Sequence, residues 1–240
     1  MRMQSLVVPE ENGKPQELLF AKSQFLKFVS SKNLGISTIH PRGTVLFAEG
    51  EDARGVYLLL SGSVKVSLTS AQGKILIIRI AKPGDLLGIN STMTRNPYEA
   101  TAETANYCRA IFIPLREFGS LYNHNEDVKE FVLDSFSRQM SEMIDSSRRL
   151  LLSETAEEKL AGLIIKWCRE MGSFESEGVR VFHSFTQEEI GQMICASRET
   201  VSRLLKEFVR RKLMTISTNS ILVHNLGALE NIEKEVAYSV

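Results

Sequence analysis

Cysteine is scarce in this sequence: three residues in 240, Cys108, Cys168 and Cys195, with no C-x-x-C spacing among them. That excludes a disulfide framework and a cysteine-rich metal or redox centre. The three are expected as reduced thiols in or near the core of a cytoplasmic protein. Long apolar runs are missing too, since nowhere do roughly 18 apolar residues follow one another, so no membrane contact is expected. The opening stretch MRMQSLVVPEENGKPQELLF has only a short apolar run before Pro9, Glu10 and Glu11, which does not fit a secretion signal. Net charge is also absent, with 29 Lys and Arg against 29 Asp and Glu. No overall basic field therefore draws the chain to nucleic acid, and any such contact has to come from a local patch. His40, His124, His183 and His224 form no H-x-H pair, and no nucleophile stands beside a base. A β-roll enzyme reading thus lacks a site; no catalytic residue, metal or cofactor is assigned.

What is present divides the chain. Residues 1–17 are polar and carry Pro and Gly, which predicts a mobile arm, and a short helix is expected at Ser23 to Val29. Between Pro41 and Pro114 short aliphatic and β-branched runs recur: TVLF (44–47), VYLLL (56–60), SVKVSL (63–68), ILIIRI (75–80), TAETA (101–105) and CRAIFI (108–113), with glycines between them. Strands at this spacing predict an antiparallel sandwich or barrel. In SVKVSL the alternation predicts Val64, Val66 and Leu68 on a buried face.

After Gly119 glycine vanishes for more than forty residues and the period becomes helical. Val128, Val132, Phe136, Met140, Met143 and Ile144 step by three or four, with Phe131 and Leu133 widening the apolar arc. So wide an arc predicts a long helix packed on its own domain on one side and on a partner chain on the other. A second helix is expected from about Glu154 to Met171, capped by Ser153 or Thr155 and stopped by Gly172.

The stretch 184–225, SFTQEEIGQMICASRETVSRLLKEFVRRKLMTISTNSILVHN, is the most informative. Thr186 and Glu189 form a capping box for a first helix of about Gln187 to Ile194, on which Gly191 is expected to let another helix approach. A short CAS turn leads to a second helix capped by Ser197. There Val201, Leu204, Leu205 and Phe208 share the inward face, while Glu199, Ser202, Arg203, Lys206 and Arg210 point outward, with Arg198 at the edge. The stretch holds six bases against four acids, and all six bases lie on or just after the second helix. Two helices joined by so short a turn match a helix-turn-helix, whose second helix enters the DNA major groove. MTIST and ILVHN then predict a hairpin wing turning at Asn219 and Ser220.

FTQEEIGQMICASRETVSRLL closely resembles the helix-turn-helix of the cyclic-AMP receptor and FNR superfamily of bacterial transcription regulators. EGEDARGVYLLLSGSVKVSL and KPGDLLG resemble that family's effector roll, and HNLGALENI its C-terminal end. The resemblance implies an α+β chain of three parts: a cyclic-nucleotide-binding-like β-roll at 18–123, a dimerisation helix at 124–152 and a winged helix-turn-helix at 153–240. It also implies a homodimer on double-stranded DNA with a pseudo-palindromic operator. RNA polymerase and a small-molecule effector are the further partners it brings. Base readers map onto Arg198, Glu199 and Arg203, with a TGTGA-like half-site; an arginine fork suits guanine O6 and N7, and a glutamate accepts from the cytosine amino group. Ser197, Thr200, Ser202, Thr186 and Lys206 complete the DNA-contacting set. Cys195 stands where the family often has glycine, and Glu188 where a neutral or basic residue is common.

In the roll the resemblance weakens. The family's cyclic-nucleotide binders carry a G-E-L segment and an Arg-Ser pair, whose guanidinium grips the cyclic phosphate. Here Ile89 occupies the glutamate position, and Tyr98 and Glu99 stand for Arg and Ser. A carboxylate repels a phosphate, so cyclic AMP in the usual pose is not expected. Arg95 is the nearest arginine in sequence and is expected to be solvated. A different effector, or none, is left; its lining would come from Gly88, Ile89, Asn90, Ser91, Thr92, Tyr98, Glu99, Ala100 and Thr101, closed by Ile144 and Asp145. The competing reading from another class is a sensory module acting through protein partners.

Overall fold

The structure, a computed structural model, describes residues 35–234. The arm expected over 1–17, the helix expected at Ser23 to Val29 and the first part of the 18–123 region lie outside the described residues. Two four-stranded antiparallel sheets build the N-terminal roll. One has the order β1-β8-β3-β6, from Ile36–His40 (β1), Gly55–Ser61 (β3), Leu86–Leu87 (β6) and Cys108–Pro114 (β8). The other has the order β2-β7-β4-β5, from Val45–Phe47 (β2), Val64–Thr69 (β4), Ile75–Ala81 (β5) and Thr101–Thr104 (β7). Their inner faces close on Phe47, Leu59, Val64, Leu87 and Ala102.

Six of these strands fall on the runs expected from sequence; β1 and β6 are additional. The alternation in β4 is not the expected one. Val64 is fully buried, but the ladder with β5 shifts register between Val66 and Ser67. The extra residue of the bulge, Ile78, is on β5; Ser67 is buried and Leu68 exposed, Leu68 lying past Ser67, where the pairing of β4 with β7 ends.

Helix α1 (Ile89–Thr94) interrupts the roll, and α2 (Leu115–His124) leads into α3 (Glu126–Leu152). The Asn125 side chain caps α3 by accepting from the Val128 amide at 3.2 Å. The first turns of α3 bury Val128, Phe131 and Val132 against Leu58, Leu86 and Ile113 of the roll. Further along, Leu133, Met140, Met143, Ile144, Leu151 and Leu152 are exposed, Leu151 at 80%. The buried Asp85, in the turn between β5 and β6, pairs with Arg79 of β5 at 2.9 Å and fastens the roll to this helix through Arg138 at 3.2 Å.

Helix α4 (Ala156–Met171) opens the C-terminal part with a capping box from Thr155 and Glu158. A four-stranded sheet of order β11-β12-β10-β9 follows, from Ser173–Glu175 (β9), Gly178–Phe182 (β10), Met214–Ser217 (β11) and Ser220–Val223 (β12). Helices α5 (Gln187–Ile194), α6 (Arg198–Arg210) and α7 (Leu226–Lys234) complete it. Leu160, Ile164, Trp167, Val201, Phe208 and Leu229 form its core, and Ile77 of β5 is buried in the same cluster. The roll and the C-terminal part thus share apolar surface.

A polar cluster fixes the same junction. Glu189, in the first turn of α5, accepts from both Nη2 of Arg42 at 2.8 Å and Nζ of Lys65 at 2.9 Å. Lys65 also holds Glu103 at 2.7 Å, and Arg42 reaches the Ser184 carbonyl. Burial works against ionisation of Glu189, but the Thr186 amide, Lys65 and Arg42 outweigh it and hold the carboxyl below its ordinary value.

Candidate nucleic-acid interface

Two caps and one strained turn set the two helices. The Thr186 hydroxyl accepts from the Glu189 amide at 3.1 Å while the Glu189 carboxylate takes the Thr186 amide at 2.8 Å. Helix α5 then stops at Cys195, whose φ of 56° is left-handed, a conformation that costs a residue with a Cβ roughly 1–2 kcal/mol. The Ala196 amide turns back to the Gly191 carbonyl at 3.0 Å. A Cβ on Gly191 would lie 2.5 Å from the Ala196 carbonyl oxygen. Gly191 therefore makes room for the turn's own backbone, and not for another helix as its position in sequence suggested. The exposed Cys195 is likewise no core thiol, whereas Cys108 and Cys168 are buried; its backbone role at the end of α5 sets its side chain outside.

Ser197 caps α6, accepting from the Thr200 amide at 3.2 Å. Val201, Leu204, Leu205 and Phe208 are buried, as their spacing required, and Arg198, Glu199, Arg203, Lys206 and Arg210 are exposed. Thr200 and Ser202 are half-buried at the margin. The bases of this face differ in freedom. Arg210 is held by Glu207 at 2.8 Å and Arg211 by Glu157 at 2.6 Å. Arg198, Arg203 and Lys206 make no ion pair among the described residues. Glu199 is fully exposed, and its own backbone amide, Ser197 and Arg198 hold its carboxyl below the usual value, so it is an acceptor at neutral pH. The outward face therefore offers two unengaged guanidinium forks, an ammonium and a carboxylate. These can donate to guanine edges and phosphates and accept from a cytosine amino group. The hydroxyls of Thr186, Ser197 and Thr200 already have partners within the caps.

The hairpin after α6 differs from the expected wing in two ways. Ser217 pairs with Ser220, so the turn is Thr218 and Asn219, one residue earlier. Strand β12 is also internal, paired on its other side with β10, and all four of its residues are buried. The β9–β10 hairpin escaped the sequence reading, although Val179 and Val181 alternate with Arg180 in it; its strands are only three and five residues long. Arg42 and Lys65, which hold α5 from the roll, also escaped it. They lie 147 and 124 residues from Glu189, and no local pattern links them.

The residues expected to line an effector pocket bond to one another. Tyr98 is 4% exposed, stacked on Phe47 with ring centroids 4.0 Å apart, and its hydroxyl donates to the Gly55 carbonyl at 2.7 Å. Thr92 donates to the same carbonyl at 2.9 Å. Gly88 is left-handed, and a Cβ there would lie 2.6 Å from the Tyr98 ring. Asn90 donates to Glu99 at 2.5 Å, and the Glu99 amide donates to the buried Ser91 at 3.2 Å. Ile89 is buried, Ala100 half-buried, and Thr101 accepts from the Glu49 amide. Arg95 is the exposed left-handed cap of α1. Ile144 and Asp145 are on α3, Ile144 exposed and Asp145 lining a cleft between α3 and α4. The set does not fit a cyclic phosphate: its position for a guanidinium holds a buried phenol, and the neighbouring carboxylate is ligated by Asn90.

Among the described residues no helix is long and apolar enough to cross a membrane. Residues 39–125 match the cyclic nucleotide-binding domain model, and residues 158–232 match the Crp-like helix-turn-helix domain model. The chain is 28% identical over 183 residues to a CRP-like cAMP-activated global transcriptional regulator of Mycobacterium tuberculosis, covering 76% of this chain and 81% of the relative. In fold it is similar to a CRP-family transcriptional regulator from Thermus thermophilus, with a TM-score of 0.69 at 22% identity over 82% of this chain and 96% of that one. A CooA mutant from Carboxydothermus hydrogenoformans gives a TM-score of 0.74 at 17% identity, over 87% and 94%. Two domain models in this order, joined by the long α3 and ending in a helix-turn-helix with an open basic face, identify a DNA-binding regulator and not an enzyme: the chain belongs to the Crp-Fnr superfamily of transcription regulators.

Proposed function

We propose that the chain acts as a homodimer on a TGTGA-like inverted repeat. Arg198, Glu199 and Arg203 read bases, and Lys206, Ser197, Thr200, Ser202 and Thr186 contact the backbone and set the register. The observation that carries this reading is the outward face of α6, where Arg198 and Arg203 are exposed and, among the described residues, without an ion pair, beside an ionised Glu199. Region 18–123 is the sensory part, 124–152 the dimerisation helix and 153–240 the DNA-binding part. The homodimer is supported by the exposed stripe of Leu133, Met140, Ile144 and Leu151, which recurs at seven- and four-residue steps along one side of α3. Two-fold symmetry then asks for half-sites about one helical turn, ~34 Å, apart. Cyclic AMP has no place in the usual pose in the roll, because Tyr98 fills the interior and the Glu99 carboxylate is bonded to Asn90.

Fluorescence anisotropy of the full chain on a labelled inverted repeat, on one half-site and on a scrambled duplex tests this. Tight binding to the repeat alone, with affinity falling steeply as salt rises, is the expected result. Equal affinity for one half-site and the repeat would remove the dimer from the proposal.

A further inference from the structure

The interior of the roll is filled by the chain's own side chains, but a cleft of about 640 Å³ opens where the last turns of α3 meet α4 and α7. That volume lies within the range of small-molecule sites. Four cations, Arg148, Arg149, Lys166 and Arg169, and three carboxylates, Asp145, Glu170 and Glu233, line it. Some of these charges are settled locally. Glu170 accepts from Lys82 at 2.6 Å and lies 3.7 Å from Lys166, and Arg169 is held by Glu230 at 2.8 Å.

Arg149 is not settled. Among the described residues it makes no ion pair; its one hydrogen bond runs from Nη2 to Ser146 at 3.3 Å, and its Nε is buried without a partner. Burial pulls this guanidinium below its ordinary pKa, with Glu170, Glu233 and Asp145 opposing from a distance. A desolvated, underbonded cation is costly, yet the fold makes room for it. Its stem lies over Gly162, where a Cβ would come within 3.2 Å of Arg149 Cδ and 2.9 Å of Glu233 Oε1.

We propose that this cleft binds a small metabolite bearing a carboxylate or a phosphate monoester, with Arg149 as its principal anchor and Arg148 and Lys166 beside it. A planar oxyanion supplies the acceptors that the guanidinium lacks. Asp145 and Glu233 would accept from a hydroxyl or amine on the same molecule. The cleft spans the join at Ser153 to Thr155 between α3 and the DNA-binding part. A ligand there sets the angle at which α6 is presented. The binding site stands on the cleft and its charges and does not depend on the operator proposal.

Isothermal titration of the full chain at constant ionic strength, with inorganic phosphate in one arm and citrate in the other, is the test. Saturable binding of one probe, one site per chain, is expected, and the arm that responds tells phosphate from carboxylate chemistry. Arg149→Met should weaken it at least tenfold, and the probe should raise the melting temperature of the wild type but not of the variant. Gly162→Ala, read in the same way, keeps the test open if Arg149→Met does not fold, and should also weaken binding. No saturable heat from either probe, or unchanged affinity in a folded variant, overturns the site.

Discussion

Replacing Lys65 by Met removes one cation from the junction between the roll and α5 while keeping most of the aliphatic stem. Lys65 Nζ lies 2.9 Å from Glu189 and 2.7 Å from Glu103, and its side chain is only 12% exposed. At an effective dielectric constant near 20, each contact has a gross Coulomb energy of roughly 6 kcal/mol. Desolvation offsets most of that, leaving about 1.5–3 kcal/mol for a hydrogen bond between charged groups. Glu103 can rehydrate, and Glu189 keeps Arg42, so the expected net loss is about 2 kcal/mol, a fall in melting temperature of about 4–8 °C for a chain of this size. The pH dependence identifies the cause. Glu189 has a depressed carboxyl, so its contribution is present above the unfolded value near 4.5 and is lost as pH falls through the folded one. Burial alone would lower the Lys65 pKa, but Glu103 and Glu189 hold it above 10.5, so its share is complete below that value and is lost as pH rises through the raised one. Urea denaturation of wild type and Lys65→Met should therefore differ at pH 7 and converge at pH 3. A difference under about 0.5 kcal/mol at pH 7, or one undiminished at pH 3, would refute the ionic origin.

Cys195→Gly should stabilise the chain by about 1 kcal/mol, since glycine enters the left-handed region without a Cβ penalty; a lower melting temperature would contradict this. Tyr98→Phe should cost only about 1 kcal/mol, because Thr92 still donates to the Gly55 carbonyl, whereas Tyr98→Ala should cost roughly 3–5 kcal/mol through the cavity it leaves. Equal losses in the two variants would show that the ring does not fill the roll. His183 is stacked on Trp167, and burial lowers its pKa from 6.5, with a hydrogen bond to the Phe185 backbone opposing. Its neutral form therefore contributes stability above pH 6.5 that is lost as pH falls toward the depressed value. His183→Phe should flatten the slope of stability between pH 7 and 5, and parallel slopes would count against it.

Sequence made legible whatever was periodic or local. Short runs between glycines marked six strands of the roll, and the Thr186 and Ser197 caps and the inward spacing of Val201, Leu204, Leu205 and Phe208 were enough to place α5 and α6. What it hid was set by partners far along the chain. The partner β7 ends opposite Ser67, so the exposure of Leu68 could not be read from β4 alone. Glu189 looked like half of a capping box, yet it also takes two cations from the roll. Tyr98 and Thr92 read as a polar lining in sequence because the carbonyl that accepts from both, at Gly55, lies about forty residues earlier.

The central claim, that α6 reads bases, is tested most directly by Arg203→Ala titrated against a TGTGA repeat and a set of single-base variants at fixed salt. Base reading predicts a loss of about 1–3 kcal/mol, roughly 5- to 150-fold, on the intact repeat. Little further loss should follow where the base pair contacted by Arg203 has already been changed. An equal loss on every sequence would make Arg203 a phosphate contact and contradict the claim.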